Sequence, residues 1–139
     1  MMNHRPVFIV DDDVEEREII KEILQELNVQ NPVLFFATGY AVLDHLKEDP
    51  TNPFLIICDV YLPQMDGFTL RQRFADENTL HYKSIPFIFW STTASNDQIK
   101  KAYDYGAHGF FFKGHNYAEI KESLSTIITY WMSSKAPVV

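Results

Sequence analysis

Leu55-Ile56-Ile57-Cys58-Asp59-Val60-Tyr61-Leu62-Pro63-Gln64-Met65-Asp66-Gly67 is the stretch that decides the fold. It opens with apolar residues, the mark of a strand buried on both faces, as in a parallel sheet covered by helices. Asp59 follows at once, and a loop closed by Pro63 and Asp66-Gly67 comes after it. In open α/β sheets, chemistry gathers just past the carboxyl ends of strands. An acid placed there meets ligand while its backbone is held rigidly.

Working outward, four more apolar runs of strand length appear: Val7-Phe8-Ile9-Val10, Val33-Leu34-Phe35-Phe36, Pro86-Phe87-Ile88-Phe89-Trp90 and Gly109-Phe110-Phe111-Phe112. Between them the apolar residues fall at helical spacing. Ile19, Ile20, Ile23, Leu24 and Leu27 share one face of a first helix, and its acidic start suits a helix N-terminus. Ala41, Val42, Leu43 and Leu46 mark a second, stopped near Asp49-Pro50. Further helices are predicted from about Phe68 to Asp76, Asn96 to Tyr105 and Tyr117 to Trp131. Glu77 to Ser84 reads as a polar loop, long for an α/β connection. Alternating strands and helices imply a parallel sheet with right-handed crossovers and helices on both faces.

The chain has 139 residues, the length of one domain. We expect a single domain over 1–139, with a core from about 6 to 132 and a flexible tail over 133–139. No output domain is expected after the last helix. The formal net charge of −7 argues against nucleic acid, whose phosphates recruit Lys and Arg, and favours a cation or a basic partner. The single cysteine, Cys58, precludes an internal disulfide and fits a reducing cytoplasm. No apolar run has the length of a membrane span, and Met1 to Pro6 lack the apolar core of a signal peptide.

Four predicted strand ends carry one kind of chemistry. Asp11 and Asp12 follow the first strand, Asp59 the third, Ser91 the fourth and Lys113 the fifth. Three converging carboxylates repel one another unless a cation sits among them. An all-oxygen site of this kind suits Mg²⁺, which takes few protein ligands and keeps several waters. A lysine and a hydroxyl beside that metal suit an incoming phosphoryl group. A metal-flanked carboxylate can itself be the nucleophile and form an acyl phosphate. Asp13 is the acid that best serves as a helix cap. Cys58 should point to the opposite strand face from its neighbour as an inert buried thiol, and Trp90 should lie in the core. The five histidines lack paired ligand spacing, and His115 reads as a solvated loop residue.

These residues resemble the receiver domain of two-component response regulators, from Val7 to about Trp131. The matching pieces are Val10-Asp11-Asp12, Asp59 with Leu62-Pro63 and Met65-Asp66-Gly67, Pro86 to Ser91, and Gly106-Ala107 through Gly109-Phe110 to Lys113. The resemblance implies a flavodoxin-like, doubly wound five-stranded parallel sheet of order 2-1-3-4-5 with five helices. It implies that Asp59 accepts a phosphoryl group from a sensor histidine kinase, or exchanges it with a phosphotransfer protein. Asp12, Asp59 and the backbone carbonyl of Tyr61 would ligate Mg²⁺, with Asp11 acting through a metal-bound water. Lys113 would pair with the acceptor and then with the phosphoryl group, while Ser91 would hydrogen-bond a phosphoryl oxygen. Phe110 matches the aromatic switch position. Tyr61 and Thr93 match the positions that tune phosphoryl lifetime, and a bulky Tyr61 could shield the acyl phosphate or obstruct the donor.

The resemblance implies a phosphoacceptor of bacterial signalling, and the composition and length lead us to expect a stand-alone, cytoplasmic one. It is not an enzyme beyond its own phosphorylation and dephosphorylation. Output would pass through the fourth helix, fifth strand and fifth helix to a downstream protein or a homodimer partner, or by onward relay. Stand-alone receivers with a long polar loop before the fourth strand, often encoded beside phytochrome-like or other histidine kinases, are the most similar. Two departures stand out. Gly114 occupies the place of a usual proline, often preceded by a cis bond, and the sequence leaves this bond cis or trans. Phe110 has no hydroxyl to anchor the ring outside. Other classes with related architecture fit less well. A flavodoxin-like electron carrier needs a Gly/Ser/Thr-rich cradle where three aspartates stand, and an aspartyl phosphatase places its nucleophile after the first strand.

Overall fold

Short runs rich in Val, Ile, Leu and Phe form the strands, because such side chains pack well on a pleated surface. The computed structural model describes residues 5–49, 52–76 and 84–135. Among them, β1 (Val7–Val10), β2 (Val33–Phe36), β3 (Leu55–Cys58), β4 (Phe87–Ser91) and β5 (Gly109–Phe112) alternate with helices. The helices are α1 (Val14–Glu26), α2 (Gly39–Glu48), α3 (Gly67–Asp76), α4 (Asn96–Asp104) and α5 (Tyr117–Ser133). All strand pairs are parallel, in the expected order β2-β1-β3-β4-β5. Val7 sits opposite both Val33 and Leu55, and Ile88 opposite Gly109. The winding reverses between β1 and β3, so a crevice opens past their carboxyl ends.

Strand alternation divides the core into two layers. Phe8, Val10, Ile56, Cys58, Phe87 and Phe89 face α2, α3 and α4, meeting Val42, Leu46, Phe68, Leu70, Phe74 and Ala102. Val7, Ile9, Leu55, Ile57, Ile88 and Trp90 face α1 and α5, meeting Ile20, Ile23, Leu124 and Ile127. The first layer is built largely from rings. Phe89 lies 5.3 Å from Phe68, 5.4 Å from Phe87 and 6.0 Å from Phe110. Trp90 is core, as expected, and Cys58 is fully buried.

Side-chain caps set where helices begin. Asp13, Thr38, Ser95 and Asn116 each accept a hydrogen bond from the first turn of α1, α2, α4 and α5. Asp13 is thus structural, as its position foretold. Most boundaries agree with the sequence to within a residue. One does not: Ser133, read as tail, is helical, and Ser134 is the C-cap. The apolar stripe of α5 continues through Ile127 and Ile128 and carries the helix past Trp131. Residues 136–139 of the expected tail, residues 77–83 of the polar loop and residues 1–4 lie outside the described residues. No described helix is long and apolar enough to cross a membrane.

Candidate functional site

Four strand ends meet at one edge because the sheet's own ladders continue into the site. Asp11 N–H donates to Phe36 O (2.9 Å), Asp59 N–H to Val10 O (3.0 Å) and Lys113 N–H to Ser91 O (2.9 Å). Each chemical side chain therefore springs from a backbone that the sheet holds. Gly67 permits this at the loop after β3. A Cβ there would collide with the Asp59 carbonyl oxygen and lie 2.9 Å from the Phe89 ring. Its own N–H donates to Val60 O, closing the loop over the acid.

Lys113 is the centre of the site. It is only 3% exposed, yet its ammonium is surrounded by charge. Its Nζ lies 2.9 Å from Asp59 Oδ2, 3.2 Å from Asp11 Oδ2 and 2.5 Å from Glu16 Oε1. Burial disfavours the ammonium, but the pull of Asp59 and Asp11 outweighs it and pushes the pKa up. Burial likewise pushes the Asp59 carboxyl up, against the opposing pull of Lys113. Burial and a hydrogen bond with Asp11 raise Glu16 to about 7. The Glu16–Lys113 contact is close in distance but lacks hydrogen-bond alignment at Oε1. We read it as an ion pair.

The remaining oxygens are held by the backbone. Asp11 Oδ1 accepts from Asp13 N–H (2.9 Å), and Asp59 Oδ1 accepts from Tyr61 N–H (3.1 Å). Arg17 Nε donates to Asp11 O (2.8 Å). Asp12 is exposed and forms no hydrogen bond or ion pair with another described residue, so its carboxylate is available to a cation. Among the described residues no three acidic, histidine or cysteine side chains enclose an ion by themselves. Mg²⁺ takes few protein ligands and completes its shell with waters and carbonyl oxygens. The oxygen-only set of Asp11, Asp12 and Asp59 fits such an ion.

Other predicted residues take less direct places. Ser91 is fully buried, and its Oγ donates to Thr93 O (3.0 Å) rather than to the acids. Thr93 is exposed. Tyr61 is half exposed, and its hydroxyl pairs with the Gln98 side-chain amide, at 3.1 Å from Oε1 and 2.9 Å from Nε2. Phe110 is half buried between Phe89 and Phe112. His115 is exposed. Burial raises the Cys58 thiol well above its usual range, in keeping with an inert role.

Gly114 departs from the expected proline for a visible reason. No cis peptide occurs among the described residues, and Gly114 has φ +96°. A Cβ there would collide with Glu119 Cβ and lie 3.0 Å from the Glu119 carbonyl carbon. The chain turns sharply here into α5, and the turn is braced by Asn116 and by Glu119, which accepts from His115 N–H (2.8 Å).

Several working residues escaped the sequence. Glu16 looked like ordinary helix-start acidity. Ser123 Oγ accepts from Trp90 Nε1 (2.9 Å) and donates toward Lys113 O (3.0 Å), which no spacing rule reveals. Arg71, 4% exposed, donates to Tyr105 O and Gly106 O at the end of α4. A buried arginine in a helix stripe was the available signal.

A doubly wound sheet with acids past β1 and β3 and a buried lysine past β5 defines a receiver-type signalling fold. The chain belongs to that family: the model of the response regulator receiver domain matches residues 7–125. It is 22% identical over 130 residues to the probable methanogenesis regulatory protein FilR2 of Methanothrix harundinacea, covering 91% of this chain and 83% of that protein. It is 20% identical over 133 residues to the response regulator Rcp1 of Synechocystis, covering 92% and 89%. Rcp1 has been solved in a Mn²⁺-bound form, with a TM-score of 0.85 over 96% of this chain and 99% of that one. The phosphorylated cyanobacterial phytochrome response regulator RcpA shares the fold with a TM-score of 0.88 at 24% identity, over 98% of this chain and all of its own.

Proposed function

We propose that this chain is a phosphoacceptor module in which Asp59 takes a phosphoryl group from the phosphohistidine of a sensor kinase or phosphotransfer protein. The carrying observation is Lys113 Nζ at 2.9 Å from Asp59 Oδ2, where the strand ends meet. In the transfer, the phosphorus–nitrogen bond breaks, an Asp59 oxygen bonds to phosphorus, and the leaving imidazole regains a proton. Asp11, Asp12, Asp59 and the Tyr61 carbonyl would hold Mg²⁺, whose charge offsets that of the phosphoryl group. Lys113 loses its contact with the neutralised Asp59 oxygen and turns to a phosphoryl oxygen. Ser91 leaves the Thr93 carbonyl to donate to another, and Phe110 follows into the space vacated.

Output then passes through α4, β5 and α5, where Tyr103 and Phe112 are exposed aromatics suited to a protein partner or a second copy. Tyr61 and Thr93, two residues beyond Asp59 and Ser91, set the lifetime of the acyl phosphate. We read residues 1–139 as one cytoplasmic domain whose chemistry is confined to its own phosphorylation and dephosphorylation. The test is intact mass after incubation with acetyl phosphate and Mg²⁺. Wild type should gain one phosphoryl group and Asp59→Asn none, and equal labelling of the two would overturn the assignment.

A further inference from the structure

We propose that Glu16 is a positioning residue for phosphoryl transfer, fixing the Lys113 ammonium from the first turn of α1. The inference rests on the phosphoacceptor reading above. Two independent observations carry it.

The first is a local rule that this helix breaks. Asp13 caps α1, and Glu16 stands three residues on, the arrangement in which an acidic side chain reaches back to the cap's own N–H. Here Asp13 N–H donates instead to Asp11 Oδ1. The Glu16 carboxylate is thereby released from its usual partner and turned inward. Its neighbours Glu15 and Glu18 point to solvent, as acids in a first turn ordinarily do.

The second is the geometry at Lys113. An ammonium has three donors, and three carboxylates surround this one. When Asp59 becomes an acyl phosphate, its contribution as an anion ends. Asp11 at 3.2 Å and Glu16 at 2.5 Å then remain to hold the ammonium while its third donor turns to phosphorus-bound oxygen. Without Glu16 the flexible lysine stem is anchored only by the longer contact. A misplacement of about 1 Å can cost about 100-fold in rate, so a loosened lysine should cost about tenfold.

The experiment compares Glu16→Ala, Glu16→Gln and Glu15→Ala with wild type, using acetyl phosphate as donor and Mg²⁺ at fixed concentration. Glu15→Ala removes an acid from the same helix turn without touching Lys113. Glu16→Ala should lower the maximal rate of Asp59 labelling about tenfold with little change in the half-saturating donor concentration. Glu16→Gln keeps the side chain's size but not the charge of the ion pair, and should fall between wild type and Glu16→Ala. In metal-free protein, the Lys113 ¹⁵Nζ–H signal should be sharp in wild type and Glu15→Ala and exchange-broadened in Glu16→Ala. A Glu16→Ala protein labelled as fast as Glu15→Ala, with an unchanged Lys113 signal, would overturn the inference while leaving the phosphoacceptor reading intact. A wild type that takes no phosphoryl group would overturn both.

Discussion

Gly114→Ala probes whether the turn after β5 sets the position of Lys113. The added methyl meets two penalties. A residue with a Cβ in the left-handed region costs about 1–2 kcal/mol relative to glycine. The methyl would also overlap Glu119 Cβ and crowd the Glu119 backbone, which is fixed by the α5 cap, and such overpacking costs about 1–3 kcal/mol. The sum is about 2–5 kcal/mol, a large share of a domain's usual stability. With a urea m-value near 2 kcal/mol per molar, the midpoint should fall by about 1–2.5 M. The assay is urea unfolding in EDTA, followed by tryptophan fluorescence, with a check that the slope is unchanged. Labelling of Asp59 should also slow, because displacing Glu119 moves the chain that carries Lys113. Gly114→Pro should be at least as damaging, since proline fixes φ near −65°, opposite in sign to the +96° found here. A Gly114→Ala protein within about 0.5 kcal/mol of wild type would refute the reasoning, because that is the spread of an ordinary surface substitution.

Asp12→Ala should abolish Mg²⁺-dependent labelling, read by intact mass, while leaving the fold intact, and should stabilise the protein in metal-free buffer by relieving repulsion among the acids, read by thermal melts with and without Mg²⁺. Phe110→Tyr should shift the resting ring outward by up to about tenfold in population, since its hydroxyl can be satisfied only where water or a backbone group reaches it. Side-chain NMR of residue 110, free and with beryllofluoride standing in for the phosphoryl group, reports the shift. Arg71→Leu should cost about 1.5–3 kcal/mol in urea unfolding, because it removes charged donors from the carbonyls ending α4.

The five strands, the helices on both faces and the meeting of Asp11, Asp59 and Lys113 were legible because strand ends and helical stripes are local patterns, whereas the strand order came from the resemblance to receiver domains. Asp59 was readable as an acid ending a buried strand, and Lys113 as its counterpart after β5. Glu16 was not. Its spacing from Asp13 matches a helix cap, and only the competing hydrogen bond from Asp13 N–H to Asp11 turns it inward. The trans geometry before Gly114 was equally out of reach, since it depends on how closely α5 approaches the turn. Tyr61 was identified by its distance from Asp59, but its pairing with Gln98 joins residues 37 positions apart. Contacts of that range are made by the fold and leave no spacing in the chain.

The central claim is that Asp59 carries the phosphoryl group. Borohydride reduces an aspartyl phosphate to homoserine, so treating acetyl phosphate-labelled protein with it marks the acceptor permanently. Peptide sequencing by tandem mass spectrometry then locates the mark. The account predicts homoserine at position 59 alone, and only in samples that contained Mg²⁺. Homoserine at Asp11 or Asp12 instead, or none in a protein that has gained phosphoryl mass, would contradict it.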